Sequence, residues 1–147
     1  MRDTTQTETA APASTPASAT ASSHGWRVRP AREDDLEPVI AAVGELLVEL
    51  GSVPPAASAM RETARALIGD PEAGAVLVAE ADGTLVGVLV ASWQMAMHVP
   101  GTYALIQDLW VRPQWRGRAI GAGLVEAIAE LARGRGVGRV EVGLPRE

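Results

Sequence analysis

Apolar side chains recur at helical intervals in the first half of the chain. In the segment REDDLEPVIAAVGELLVEL they fall three or four residues apart, which predicts a helix over residues 32–50. A second helix is predicted from about residue 56 to residue 68, and Gly69-Asp70-Pro71 ends it. A short strand precedes both helices. It begins at Trp26 and stops at Pro30, since proline restricts the residue before it.

The pattern then changes to that of extended chain. The segment AVLVAEADGTLVGVLVASW holds two valine-rich runs around Asp82-Gly83, a dipeptide typical of a tight hairpin turn. A loop over residues 94–101 separates this hairpin from a third long strand over residues 102–111. Helical spacing returns over residues 120–136, and GRVEVGL, residues 138–144, supplies a last strand.

The predicted order of elements is therefore β-α-α-β-β-β-α-β. A strand, a crossover helix and a second strand normally pair in parallel, whereas the preceding hairpin is antiparallel. We therefore predict an α/β (α+β) fold with a mixed, mostly antiparallel sheet flanked by helices. Residues 26–147 form one domain, and residues 1–25, rich in Ser, Thr, Ala and Pro, are interpreted as a disordered leader.

Composition excludes several classes of function. The 147 residues contain no cysteine and two histidines, so we expect neither a thiolate nucleophile nor a metal site. The net charge of −5 disfavours nucleic acid and anionic membranes as partners. No apolar stretch approaches the roughly 18 residues of a membrane span, and the N-terminus lacks the layout of a secretory signal. We therefore expect a cytoplasmic protein with a small-molecule partner.

The segment VRPQWRGRAIGAGL, residues 111–124, places three arginines and three glycines between a strand and a helix. A helix N-terminus offers unpaired N–H groups and a partial positive charge, glycine allows close approach of the backbone, and arginine binds phosphate oxygens. The pattern predicts a phosphate site. The alternative is a turn whose glycines serve helix packing and whose arginines are solvated. A Rossmann motif does not fit, since Glu126 stands where glycine is needed, and a P-loop does not fit, since the chain has no Gly-Lys-Ser/Thr.

The run LIQDLWVRPQWRGRAIGAGL, with the hairpin and the two helices before it, resembles the GNAT superfamily of coenzyme A-dependent acyltransferases. The hallmark of that family is Arg/Gln-x-x-Gly-x-Gly/Ala after a strand that usually ends in Val-x-Pro. Here Val111-Arg112-Pro113 supplies the strand end, while Arg116 and Gly121 open and close the hallmark. Ala119 replaces its middle glycine. The resemblance covers residues 26–147 and implies acetyl-coenzyme A as co-substrate.

The resemblance also assigns positions along the coenzyme. It implies that N–H groups from Arg116 to Gly121 hold the pyrophosphate and that the backbone from Leu109 to Val111 runs beside the pantetheine arm. The cofactor-binding residues implied in this way are Leu109, Trp110, Val111, Arg116, Gly117, Arg118, Ala119, Ile120 and Gly121.

The family's chemistry implies direct attack of a substrate amine on the thioester, with a base to remove the proton. Relatives that acetylate small amines often have an acidic pair where this chain has Gln107-Asp108, so Asp108 is the candidate catalytic base. Strand alternation predicts that Asp108 shares a face with Ile106 and Trp110, opposite Gln107. The alternatives are a structural aspartate that binds loop backbone, and a water chain in place of a direct base.

Three further residues are candidates for binding the acceptor: Gln107, Trp93 and His98. Trp93, with Met95, Met97 and Trp110, forms either a pocket for an apolar or aromatic amine or part of the core. His98 either touches the substrate or is an exposed loop residue without a role.

We therefore predict an N-acetyltransferase acting on a primary amine of a small molecule. The alternative is a non-catalytic coenzyme A-binding or interaction module, or an inactive fragment of a longer acetyltransferase. Family members usually continue into a further helix, often with a tyrosine that protonates the leaving thiolate, and then two more strands. We expect this chain, which stops at Glu147, to lack that helix and those strands, and its one tyrosine, Tyr103, does not match the position of the family's tyrosine. A homodimer is one way to cover the sheet edge left open.

Overall fold

The computed structural model describes residues 25–98 and 100–143. The predicted leader lies outside the described residues except for Gly25. The described chain contains eight main elements in the predicted order. They are β1 (Arg27–Pro30), α1 (Leu36–Glu49), α2 (Ala57–Gly69), β2 (Gly74–Ala81), β3 (Thr84–Ala96), β4 (Gly101–Val111), α3 (Ile120–Gly134) and β5 (Val140–Val142). Single 3-10 turns, Glu33–Asp35 and Pro113–Trp115, precede α1 and α3.

The strands form one sheet in the order β1-β2-β3-β4-β5. Neighbouring strands are antiparallel except β4 and β5, which are parallel, so the mixed sheet predicted from the order of elements is confirmed. Asp82 and Gly83 form the predicted turn between β2 and β3 with φ of 52° and 77°. Positive φ at both central residues is what a two-residue hairpin turn requires.

The loop predicted over residues 94–101 is shorter than expected. Residues 94–96 continue β3 and pair with the start of β4, for example Ala96 with Gly101 and Met95 with Thr102. The prediction was wrong here because the side chains where β3 meets β4 lack the alternation of apolar and polar residues that marks a buried strand. Met95 is 83% exposed although its backbone is paired.

Helices cover both faces of the sheet. On one face, Ile120, Leu124 and Ile128 of α3 pack on sheet residues such as Leu89 and Ile106. On the other face, α1 packs Val39 and Ala42 against a second set of strand residues, which are Val76, Val78, Leu85, Val88, Val90 and Trp110. None of the residues of α2 is buried, although its sequence has an apolar face. Leu67 and Ile68 of α2 pack against this second set, while the rest of its apolar face stays partly exposed.

A buried ion cluster joins β1 and β2 to the turn before α1. The Arg29 guanidinium donates to both carboxylate oxygens of Asp35, at 2.7 and 3.0 Å, and to Glu80 at 2.6 Å. The N–H of Arg32 donates to Asp35 at 2.6 Å. Burial alone would raise the pKa of Asp35, but these hydrogen bonds together lower it.

Two predicted absences concern membranes and metals. No helix in the described ranges is long and apolar enough to cross a membrane. Residues 25–98 and 100–143 also contain no group of three or more His, Asp or Glu side chains placed to hold a metal ion. The absence of a bound metal stays a prediction.

Candidate functional site

The segment between β4 and α3 encloses a pocket of about 450 Å³ together with the end of α1. We call it the loop pocket. All of the coenzyme-binding residues predicted from the sequence line it except Arg118, and Leu46, Glu49 and Trp115 complete the lining. Arg118 lies beside it, with its guanidinium 4.5 Å from the centre of the Trp115 ring. The structure thus brings together residues that the sequence predicted to act together.

The glycines of this segment serve different purposes. A Cβ atom on Gly123 would lie 2.8 Å from the Trp26 ring, so this glycine permits close packing of α3 on the sheet. A Cβ atom on Gly121 would meet nothing within 4 Å. Gly117 has a φ of 81°, which favours glycine. Helix packing therefore explains Gly123 but leaves Gly121 unexplained.

Ala119 stands where the family hallmark has glycine, and its backbone is left-handed, with a φ of 65°. This residue caps α3, and its C=O accepts the N–H of Gly123 at 3.0 Å as the first hydrogen bond of the helix. The N–H groups of Ile120 and Gly121 precede that of Gly123, the first donor of the helix, and so have no acceptor within the helix. They are the donors that an anion at the N-terminus of α3 would use.

Arg116 is held by two acceptors at the loop pocket. Its Nε donates to the C=O of Val111 at 2.8 Å, and its Nη2 contacts both carboxylate oxygens of Glu49, at 2.9 and 3.0 Å. Trp110 Nε1 also donates to Glu49, at 3.3 Å. The hydrogen bond from Arg116 lowers the pKa of Glu49. The Glu49 carboxylate thus binds the Arg116 guanidinium, for which the sequence predicts an anionic ligand.

A β-bulge interrupts β4 one residue before Asp108. Val90 pairs with Asp108 and Ala91 pairs with Ile106, so Gln107 is an extra residue, and it is exposed. The bulge corrects one prediction. Asp108 does share the α1 side of the sheet with Trp110, but Ile106 packs on the opposite side, under α3. Residues two or four positions apart on one strand share a face only where no bulge lies between them.

Asp108 faces a cavity of about 320 Å³ between the sheet, α1 and α2. We call it the Asp108 cavity. Burial raises the pKa of Asp108, and no hydrogen bond or opposite charge from the described residues offsets this effect. The rest of the lining is apolar apart from the Thr63 hydroxyl. It consists of Val39, Ile40, Val43, Leu47, Pro55, Ala59, Met60, Ala64, Leu67, Val76 and Val90.

The edge of β4 that faces β5 is open beside these two pockets. Parallel pairing with β5 covers residues 104–106, and the N–H of Gly143 donates to Ile106 at 2.8 Å. The N–H of Arg112 turns the other way and donates to Val86 of β3, also at 2.8 Å. Because backbone groups alternate along a strand, Leu109 and Val111 direct their N–H and C=O groups to the open edge.

The structure does not bring Trp93 and His98 to the Asp108 cavity. Trp93 lies on the α3 side, where its Nε1 donates to the C=O of Pro71 at 2.8 Å and its ring lies 4.9 Å from the guanidinium of Arg135. His98 is exposed in the turn before β4. That turn is roughly 20 Å from Asp108 along the strand, at about 3.3 Å per residue. Gln107 is next to Asp108 but lines neither pocket.

Two parts of the site were missed by sequence reasoning. Glu49 ends α1, and nothing in its local sequence distinguishes it from the other acidic residues of that helix. The apolar lining of the Asp108 cavity was seen only as the apolar faces of two helices. The one sequence signal for the cavity was that the apolar faces of these helices are wide. Val43 and Leu47 belong to such a face, but they line a cavity and do not contact packed neighbours as expected.

The sequence model described as the acetyltransferase (GNAT) family matches residues 40–145 of the chain. No curated protein sequence is significantly similar to it.

Many solved structures share the fold. An integron cassette protein from the mobile metagenome of Cole Harbour Salt Marsh has a TM-score of 0.74 and 26% identity, over 80% of this chain and 76% of that one. A predicted acetyltransferase from Clostridium acetobutylicum, solved with acetyl-CoA, has a TM-score of 0.72 and 13% identity, over 82% of each chain. An aminoglycoside N-acetyltransferase solved with CoA has a TM-score of 0.73 and 16% identity, over 89% of this chain and 81% of that one. At such identities the last two likenesses concern the fold alone.

Proposed function

This chain belongs to the acetyltransferase (GNAT) family, and from that premise we propose that it transfers the acetyl group of acetyl-coenzyme A to a primary amine of a small molecule. The observation that carries the proposal is that two pockets meet on one strand. Asp108 lines the Asp108 cavity, and the next three residues, Leu109 to Val111, line the loop pocket. A coenzyme in one pocket and an amine in the other would therefore meet at β4.

The loop pocket has the chemistry that a coenzyme requires. The N–H groups of Ile120 and Gly121 are placed for the pyrophosphate, and the open space at Gly121 admits it. The open edge of β4 offers the N–H and C=O of Leu109 and the N–H of Val111 to the amide groups of pantetheine, while the C=O of Val111 accepts from Arg116. When the coenzyme binds, the guanidinium of Arg116 releases the Glu49 carboxylate and binds phosphate oxygens instead.

Asp108 binds the amine and accepts its proton. The carboxylate attracts the ammonium group, while the apolar cavity raises the pKa of the carboxyl group and lowers that of the ammonium group, so proton transfer becomes less costly. The neutral nitrogen then forms a bond to the thioester carbon. The C–S bond breaks, the thiolate of the coenzyme takes up the second proton that the attacking nitrogen loses, and Asp108 releases the first proton to solvent. We assign the stabilisation of the oxyanion that develops in between to the backbone N–H of Leu109.

The test is a thiol-release assay with acetyl-coenzyme A and a panel of primary amines. Asp108→Asn is expected to lower kcat/KM by about 10²- to 10⁴-fold, because general base catalysis is removed. Binding of the coenzyme, followed by calorimetry, should be unchanged. Asp34→Asn, an exposed change in the turn before α1, is the control and should retain full activity.

A pH profile adds a readout specific to Asp108. Protonated Asp108 cannot accept a proton, so kcat/KM of the wild type should rise with pH through a pKa above the ordinary aspartate value. This rise of kcat/KM with pH should be absent from Asp108→Asn. Full activity of Asp108→Asn would contradict the base assignment. Coenzyme binding without thiol release for any amine would support the non-catalytic binding module instead.

A further inference from the structure

We propose that the acceptor is a primary amine with a single positive charge and one compact apolar group, bound in the Asp108 cavity with that group between α1 and α2. The inference rests on the proposed function and deepens it by naming the class of substrate. It depends on three features of the cavity, which are its apolar lining, its one charged residue and its size.

The first feature is the apolar face of α2. Met60, Ala64 and Leu67 face α1 across the cavity, yet none of the residues of α2 is buried. Val43 and Leu47 of α1 face the same space. An occupant that covers these side chains gains roughly 25 cal/mol for each Å² of apolar surface removed from water. A polar group placed there would lose its hydrogen bonds to water, and the Thr63 hydroxyl is the one polar side chain besides Asp108 that the described residues of the lining offer in exchange.

The second feature is the single charge in the lining. Asp108 is the one charged side chain among the described residues around this cavity, and no group of the protein there hydrogen-bonds to its carboxylate. One ammonium group satisfies it. A second cationic group on the same molecule would lie against apolar side chains and would be desolvated without a partner. The lining therefore selects against polyamines and against sugars that carry several amino groups.

The third feature is the volume. At about 320 Å³ the cavity is at the lower end of the roughly 300–1,000 Å³ found for small-molecule sites. It fits one ring or a short branched chain. One of the structural neighbours is an aminoglycoside N-acetyltransferase, but the chemistry of this cavity differs from what a substrate with several rings and several charges requires.

The experiment compares kcat/KM for five amines: 2-phenylethylamine and isoamylamine as apolar monocations, ethanolamine as a polar monocation, and spermidine and kanamycin as polycations. The apolar monocations should exceed the others by at least about tenfold, because apolar pockets discriminate by roughly 10- to 200-fold per methylene group. Binding of 2-phenylethylamine is also measured by calorimetry with free coenzyme A present, so that binding is read without turnover.

A matched pair of variants places the acceptor in the cavity. Met60→Asp adds a carboxylate to the lining and should lower kcat/KM for 2-phenylethylamine at least about tenfold relative to spermidine, since the apolar group then meets a charge. Ser58→Asp adds the same charge two residues earlier on α2, outside the cavity lining and exposed, and should leave the ratio unchanged.

The outcomes separate this inference from the proposed function. Turnover that prefers ethanolamine, spermidine or kanamycin overturns the inference and leaves acetyl transfer intact. Binding of 2-phenylethylamine that is weakened by Met60→Asp but not by Ser58→Asp, without thiol release, supports the cavity assignment and contradicts acetyl transfer. Equal effects of the two variants overturn the assignment of the acceptor to this cavity.

Discussion

Ala119 has a backbone conformation that favours glycine, and this strain is measurable. Its φ of 65° costs an L-residue roughly 1–2 kcal/mol, partly offset in a glycine variant by the greater entropy of the unfolded chain. Ala119→Gly should therefore raise the free energy of unfolding by about 0.5–1 kcal/mol in urea titrations.

Ala122→Gly is the matched control, since it makes the same chemical change at an exposed helical position three residues later. It should lower the free energy of unfolding by about 1 kcal/mol. If Ala119→Gly were destabilising as well, the left-handed conformation of the loop would be contradicted.

Glu49 is the second residue whose role is testable alone. Because its carboxylate holds the Arg116 guanidinium at the loop pocket, it competes with any anionic ligand there. Glu49→Gln should tighten binding of acetyl-coenzyme A by up to about fivefold, the size expected for an exposed ion pair. The effect should shrink as salt rises, because added ions screen exposed charges.

Glu45→Gln removes the same charge one turn earlier on α1, where the side chain is exposed and lines neither pocket. Its affinity for the coenzyme should equal that of the wild type. An equal gain in coenzyme affinity in both variants would show that the effect of Glu49→Gln comes from the change in net charge and not from its contact with Arg116.

Among the elements, the junction of β1, β2 and α1 depends on the buried cluster of Arg29, Asp35 and Glu80. Asp35→Asn removes one carboxylate from a buried pair and should lower the free energy of unfolding at neutral pH by about 3–5 kcal/mol. Glu33→Gln, which breaks an exposed pair with Arg65, should change it little.

The same cluster gives the stability a dependence on acid. Hydrogen bonds from Arg29 lower the pKa of Glu80, and Asp35 is lowered as well, so both carboxylates stabilise the fold above their unfolded pKa values of about 4. That stability is lost as pH falls through the lowered folded-state values. Urea unfolding between pH 7 and pH 2 should show a smaller loss for Asp35→Asn than for the wild type. Equal losses would contradict the role of the pair.

The elements were predictable from the sequence wherever an apolar period lasts for several turns or strand residues. The bulge at Gln107 was not predictable from the sequence. The buried positions of LIQDLWV are apolar whether they lie on one face of the sheet or on both, so the pattern does not reveal one extra residue. Ile106 and Trp110 are both buried, but under different helices. Helical periodicity likewise gives the same apolar face to α2 whether that face is packed or borders a cavity.

For the whole molecule, the predictable part of the site is the part that is continuous in the chain. The residues from Arg116 to Gly121 carry their own phosphate chemistry, and all of them except Arg118 line one pocket. Glu49 and the Asp108 cavity depend on α1, α2 and β4, which are far apart in sequence. Only the folded chain shows that α1 borders both pockets, with Val43 and Leu47 at one and Leu46 and Glu49 at the other.

We propose that acetyl-coenzyme A binds at the N-terminus of α3 beside β4, and calorimetric titration of the coenzyme tests this claim. Gly121→Val places its Cβ atom where the free protein has no atom within 4 Å, and its side chain fills the space assigned to the pyrophosphate. Gly134→Val makes the same change at an exposed position of the same helix. We predict that the wild type and Gly134→Val bind equally well and that Gly121→Val, although folded, loses binding. Unchanged affinity in Gly121→Val, or no binding by the wild type, would contradict the claim.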